Sequence, residues 1–354
     1  YIYIILETAF SLAFSQPAYY SDLQNGPGGR NLQQQKRNVT RMISLILAEK
    51  IFSLFLIMFM GYAVVHWGLL HAEDSKTLSL ISLYLISPCV IISAFQVQYT
   101  PDVLHGLLLA LAAAVLLHVG IIVVVNLLGH ALHRDAVEKA SMIYSNSGNL
   151  LMPLVAASMG QEWLFYTCAY MGALQVFVWT HGESLICGAP RINFKKALGN
   201  LNVLAMAVGF VLFCANIRFT GVAGQAVETL GDALGSTSML SIGISFATIT
   251  RLDLRRIARV AVVTLNRLVL YPLLMMAVFL LLRLDTLLPG ARQIVLITLL
   301  GAGAPTGVVV TQIAQLYDKD ADEASLIGVV TMACSLLTLP SLIWVYEAVV
   351  DCIR

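Results

Sequence analysis

Apolar stretches long enough to cross a bilayer recur along almost the whole chain. A spanning helix needs about 20 mostly apolar residues, and that template predicts helices at 45–68, 77–97, 104–128, 141–159, 163–186, 200–217, 225–248, 257–282, 292–315 and 323–349. Short joins punctuate them: Asp74, Pro101-Asp102, His133-Arg134-Asp135, Gly160-Gln161-Glu162, Arg191 to Lys196, Gly221, Arg251 to Arg256, Pro289-Gly290 and Asp318 to Asp322. Such turn-forming and charged residues end one apolar run and begin the next. The expected fold is therefore an all-α integral membrane protein with ten transmembrane helices.

Divided into two sets of five, the predicted helices share their irregularities. The fourth holds Ser145-Asn146-Ser147-Gly148-Asn149-Leu150-Leu151-Met152-Pro153, and the ninth holds Gly301-Ala302-Gly303-Ala304-Pro305-Thr306-Gly307. Five is odd, so two consecutive repeats have opposite topology, and paired interruptions are the mark of an inverted-repeat transporter. The expected organisation is a first five-helix repeat at 42–190, a cytoplasmic linker at 191–200 and a second, inverted repeat at 201–354. Proline lacks an N–H and clashes with the carbonyl one turn back, so Pro153 and Pro305 are both expected to break their helices. Backbone freed there cannot face lipid and must line protein or a wet cavity. A half-helix start offers N–H groups and a positive dipole end to a carboxylate. This makes Ser145, Asn146, Ser147, Gly148, Asn149, Pro153, Gly303, Ala304, Pro305 and Thr306 the candidate substrate-binding residues. The competing reading is a plain proline kink with Asn and Ser bonding neighbouring helices; two matching positions favour a site.

Composition agrees with the pattern. The chain is 58% hydrophobic and 12% charged, with mean hydropathy +0.82, whereas a soluble domain is about 25% charged. A net charge of +1 with scattered basic residues points to no nucleic-acid partner. Cys89, Cys168, Cys187, Cys214, Cys334 and Cys352 lie singly, without metal-ligand spacing, and read as packing residues. Residues 1–41 read as a non-native or disordered leader: no methionine precedes Met42, and Gln16 to Arg41 is polar and rich in Gln, Asn and Gly. The native start is expected at Met42, and the Asn38-Val39-Thr40 sequon carries no weight.

Cytoplasmic loops hold the excess of Lys and Arg. With both mature termini outside, the inner loops carry Lys76, Arg134, Lys139, Arg191, Lys195, Lys196, Arg251, Arg255, Arg256, Arg259 and Lys319, against Arg218, Arg283, Arg292 and Arg354 outside. Arg267 lies inside the eighth span, as an anion contact, a buried structural cation or a snorkelling side chain; Gln312 is a candidate ion contact or an interhelical hydrogen bonder. Glu183 with His181 is either a proton relay or an interfacial polar pair. Glu49 and Lys50 reach headgroups or each other, Asn126 and Gln175 bond between helices, and His118 packs. No metalloprotease, Walker or Gly-x-Ser-x-Gly motif occurs, so no enzyme and no nucleotide-driven pump is expected. No cofactor is expected either; a proton or sodium gradient, or the membrane potential, would drive transport.

The stretch Ser145 to Leu154 resembles the broken fourth helix of the auxin efflux carrier family, which includes bacterial malonate and malate permeases. Gly303-Ala304-Pro305, Ala314-Gln315-Leu316-Tyr317-Asp318, Ala324-Ser325, Thr331 and Leu337-Thr338-Leu339-Pro340 follow that family's order, and the resemblance runs from about Met42 onward. It implies that the broken fourth and ninth helices cross at the substrate site, and that the first, second, sixth and seventh helices form a scaffold against which the others move. Ser236-Thr237-Ser238-Met239 stands where the family often has proline, and the short 188–200 loop favours the organic-acid branch. The expected function is a secondary carrier in the cell's inner (cytoplasmic) membrane, moving a small carboxylate by alternating access, with membrane lipid around it and a homodimer left open. The alternatives are a sodium-coupled symporter of the bile-acid type, a sodium/proton exchanger, and a non-transporting membrane sensor.

Overall fold

The computed structural model describes residues 52–71, 74–131, 134–189, 195, 198–246 and 254–353. The 1–41 leader with Asn38, together with Glu49, Lys50, Arg191, Lys196, Arg251 and Arg354, lies outside the described residues. The described chain is helical throughout, and its one β-type pairing is an isolated antiparallel bridge between Ser145 and Thr306.

In chain order the helices are α1 (Phe52–His66), α2 (74–94), α3 (Pro101–Ala131), α4a (Ala136–Ile143), α4b (147–158), α5 (164–187), α6 (Leu201–Cys214), α7 (221–246), α8 (254–281), α9a (Ala291–Gly303), α9b (Val308–Leu316) and α10 (Ala321–Ile353). Among the described residues, four segments are long and apolar enough to cross a membrane: Thr77–Ala94, Pro101–Leu127, Ile257–Leu281 and Ala321–Ile353. Helices α1, α6 and α9a are shorter and apolar.

Proline shapes these helices without always breaking them. Five-residue π-turns at Ser82–Ile86, Ser147–Leu151 and Asn266–Leu270 each stand just before a helix whose second residue is proline: Pro88, Pro153 and Pro272. A π-turn shifts the hydrogen-bond ladder by one residue, which makes room for the ring and frees the carbonyl that proline cannot serve. The expectation that Pro153 breaks its helix is therefore corrected: α4b runs through it. The fourth helix is interrupted earlier, where Tyr144 turns extended and Asn146 leaves the helical region. Pro305, in contrast, lies within its break, between Ala304 and Gly307, both extended.

The helices pack in two groups. In one, α2 lies against α6 and α7, and α1 meets α7 so closely that a Cβ on Gly61 would lie 2.5 Å from the Leu240 carbonyl oxygen. In the other, α3 packs on α5 and α9a, and α10 packs on α4a, α8, α9a and α9b. The groups touch where α7 meets α4b and where α2 meets α5.

Candidate functional site

The two interruptions meet. The Asn146 N–H donates to the Pro305 carbonyl at 2.8 Å, and the Gly307 N–H donates to the Tyr144 carbonyl at 2.9 Å. These bonds satisfy extended backbone that would be costly in a membrane interior. Gly307 is needed for the approach, since a Cβ there would stand 2.8 Å from the Ser145 carbonyl oxygen.

Side chains from the surrounding helices fix the crossing. Ser145 Oγ is 2.9 Å from the Tyr170 hydroxyl of α5. Thr306 donates through its hydroxyl to the Ser141 carbonyl at 2.9 Å, and through its N–H to Thr331 Oγ1 of α10 at 3.1 Å. Arg267 of α8 is 1% exposed. Its Nε donates to the Ala304 carbonyl at 3.0 Å, and its Nη1 donates to the Met142 and Ile143 carbonyls at 2.7 and 3.0 Å. These are the carbonyl ends of α4a and α9a, which no helical N–H can serve and where a cation suits the dipole. Arg267 is thus a buried cation that does not snorkel, and among the described residues its Nη2 has no hydrogen-bond partner.

The facing starts of the half-helices are less committed. Asn146 is 6% exposed, yet its carboxamide makes no hydrogen bond among the described residues. Ser147, Gly148 and Asn149 form the first turn of α4b, whose N–H groups lack intrahelical acceptors. Pro153 lies further along α4b and lines a cavity of about 200 Å³ with Met152, Ala156, Leu54 of α1, Val90 of α2 and Gly235 of α7. A neighbouring cavity of about 310 Å³ shares Val90, Gln161, Gly231 and Asp232 with it and extends to Gln96, Phe219 and Glu228. Its charged lining residues are Glu228 and Asp232. The larger cavity lies chiefly between α2 and α7, and the smaller one between these helices, α1 and α4b.

Of the sequence candidates, Ser145, Asn146, Pro305 and Thr306 meet at the crossing and Gly303-Ala304 lead into it. Gln312 is exposed on α9b, apart from the crossing contacts. Glu183 and His181 take separate tyrosine partners, Tyr317 at 2.5 Å and Tyr144 at 2.7 Å. His118 packs, stacked on Phe177 with Nδ1 2.7 Å from the Ala114 carbonyl. Sequence reasoning missed Ser141, Tyr144 and Tyr170, whose parts depend on distant neighbours. It also missed Glu138 and Glu323, although Asp135-x-x-Glu138 carries the signature of a capping box, which the structure forms.

A helical protein with spans of membrane-crossing length and helices broken against one another is of the membrane carrier class. A family model described as membrane transport protein matches residues 46–191 and again residues 190–343. The chain belongs to that family, the auxin efflux carrier family, whose members are transporters, and is a multi-pass membrane protein. No curated protein matches it.

Proposed function

We propose that this protein is a secondary carrier for a small carboxylate of the malonate or malate kind, bound where α4 and α9 cross and exposed alternately to the two sides of the cell membrane. The reading takes the helices as ten spans in two inverted repeats, with α4a/α4b the counterpart of α9a/α9b. The antiparallel Ser145–Thr306 bridge supports that pairing, because a two-fold axis through it exchanges the breaks. The observation that carries the reading is Asn146: a residue 6% exposed whose carboxamide makes no hydrogen bond among the described residues, beside the unserved first-turn N–H groups of α4b. A carboxylate would accept from that amide and from the dipole end together.

Ser147, Gly148 and Asn149 complete the substrate shell, and Pro153 shapes the approach. The spare Nη2 of Arg267 is the guanidinium atom left to an anion. The basic-residue imbalance supports a cytoplasmic location for the end carrying Arg134 and Lys319, with the termini outside.

Uptake of labelled carboxylates into proteoliposomes tests the proposal. Asn146→Ala is expected to lower transport at least about tenfold, equivalent to about 1.4 kcal/mol, with the melting temperature within ~2 °C of wild type. Unchanged uptake would remove Asn146 from the site. A second reading, the cation-coupled carrier of the bile-acid type, is favoured by one observation: Glu228 and Asp232 line the approach, and an acid-lined cleft draws cations. Uptake that requires an inward sodium gradient would select it.

A further inference from the structure

A second cluster of charges lies at the opposite end of the molecule from the cavities, where α4a, α8 and α10 begin. Glu138 of α4a is fully buried and Glu323 of α10 is 3% exposed. Together with Asp135 they place three carboxylate oxygens within 4.8 Å of one another. Two guanidiniums serve them: Arg134 bonds Glu138 at 2.9 Å, and Arg259 bonds Asp135 at 2.8 Å and Glu138 at 3.1 Å. Among the described residues, Glu323 receives a single, longer ionic contact, 3.8 Å from Arg259, and its Oε1 is buried with no hydrogen bond.

We propose that Asp135, Glu138 and Glu323 form a binding site for one monovalent cation, a proton or a sodium ion, held chiefly by Glu323. Among the described side chains, three carboxylates against two guanidiniums leave one negative charge over, and a buried charge without a close partner is strongly unfavourable. Glu138, which precedes the expected fourth span, is not the group in deficit. Burial raises its carboxyl, but the hydrogen bonds from Arg259 and Arg134 outweigh that and hold it below the usual carboxylate range.

Every helix packed around Glu323 supports the assignment. From α4a it faces Asp135, Glu138 and Arg134, and from α8 it faces Arg259. Its own first turn adds Asp320, which accepts from the Glu323 N–H at 2.9 Å, and Asp322. Helix α9b carries no titratable residue. Among the described side chains the balance around Glu323 is thus negative. Asp135 and Arg259 are about half exposed, at 44% and 50%, so an ion reaches the cluster from that end of the molecule.

The three helices that build this site also build the crossing. Arg259 and Arg267 lie about two turns apart on α8, and so do Glu323 and Thr331 on α10, a span of about 12 Å. Glu138 stands just over one turn before the end of α4a. A cation that draws α4a, α8 and α10 together therefore sets the positions of the Met142, Ile143, Arg267 and Thr331 groups that hold the break. Coupling to transport rests on the crossing being the substrate site; binding of the cation does not.

The test is thermal unfolding of the full-length protein in detergent. Choline chloride is replaced by sodium chloride at constant ionic strength and alkaline pH, and separately the pH is lowered without sodium. One of the two changes is expected to raise the melting temperature by about 3 °C: a rise with sodium alone identifies sodium, and a rise with acidification alone identifies the proton. Glu323→Gln, which removes the surplus charge while keeping the shape, is expected to abolish that response. Arg259→Gln, which deepens the deficit, is expected to enlarge it, and decides the matter should the first variant fail to fold. A wild type indifferent to both cations, or a full response in Glu323→Gln, overturns the proposal. Because no substrate enters the measurement, its outcome is independent of the carboxylate reading.

Discussion

A guanidinium suits the crossing because its rigid fork presents several N–H groups to different acceptors at once, and two helix ends offer such acceptors there. Arg267 serves Met142, Ile143 and Ala304 together. Each carbonyl left unserved in a buried position costs about 1–3 kcal/mol. Arg267→Met is therefore expected to lower the melting temperature by more than ~5 °C. Arg267→Lys is expected to fall between it and wild type, since one ammonium cannot span both helix ends. Thermal unfolding followed by fluorescence checks this; wild-type stability in both variants, with transport lost, would make Arg267 a substrate contact and not a clamp. The sequence marks Arg267 as exceptional by its place in an apolar run. It does not reveal what the side chain touches, because Met142 and Ala304 are distant in the chain.

The elements show why proline is an incomplete guide to a broken helix. Proline requires only that one carbonyl be released and room made for its ring. A π-turn meets that need at Pro88, Pro153 and Pro272, and a full break meets it at Pro305. Which solution appears depends on whether an extended segment finds a partner. Residues 144–146 find theirs in 305–307, so the fourth helix parts at Tyr144 and not at Pro153. Two substitutions separate these cases. Pro153→Ala is expected to leave the melting temperature within ~2 °C of wild type, because the helix is already continuous there. Gly307→Ala is expected to lower it by more than ~5 °C, because the methyl group would press on the Ser145 carbonyl. That order reversed, in the same unfolding assay, would return the break to Pro153.

At the scale of the whole molecule, the two helix groups meet around a pair of neighbouring cavities. The smaller cavity lies on the seam between α2 and α7 on one side and α4b on the other, where a relative movement of the groups would change access. An Ala157→Cys variant, with the exposed Cys214 and Cys352 replaced by serine, places a thiol in the inner cavity. A membrane-impermeant thiol reagent is expected to label it in right-side-out vesicles and to do so more slowly when substrate is present. Labelling confined to inverted vesicles would reverse the proposed orientation.

Properties that depend on neighbours in the chain were determined by the sequence alone. Long apolar runs are soluble only in a bilayer, and Gly, Pro and Asn clusters weaken a helix wherever they fall; these gave the membrane class, the helices and the neighbourhood of both interruptions. Tertiary structure decided what depends on distant partners. Ser145 pairs with Thr306, Arg267 closes two helix ends, and Asp135, Glu138, Arg259 and Glu323 share one charged cluster. The reason is that a polar group in a low-dielectric interior must find its partner, and which partner is within reach is settled only by how the helices pack.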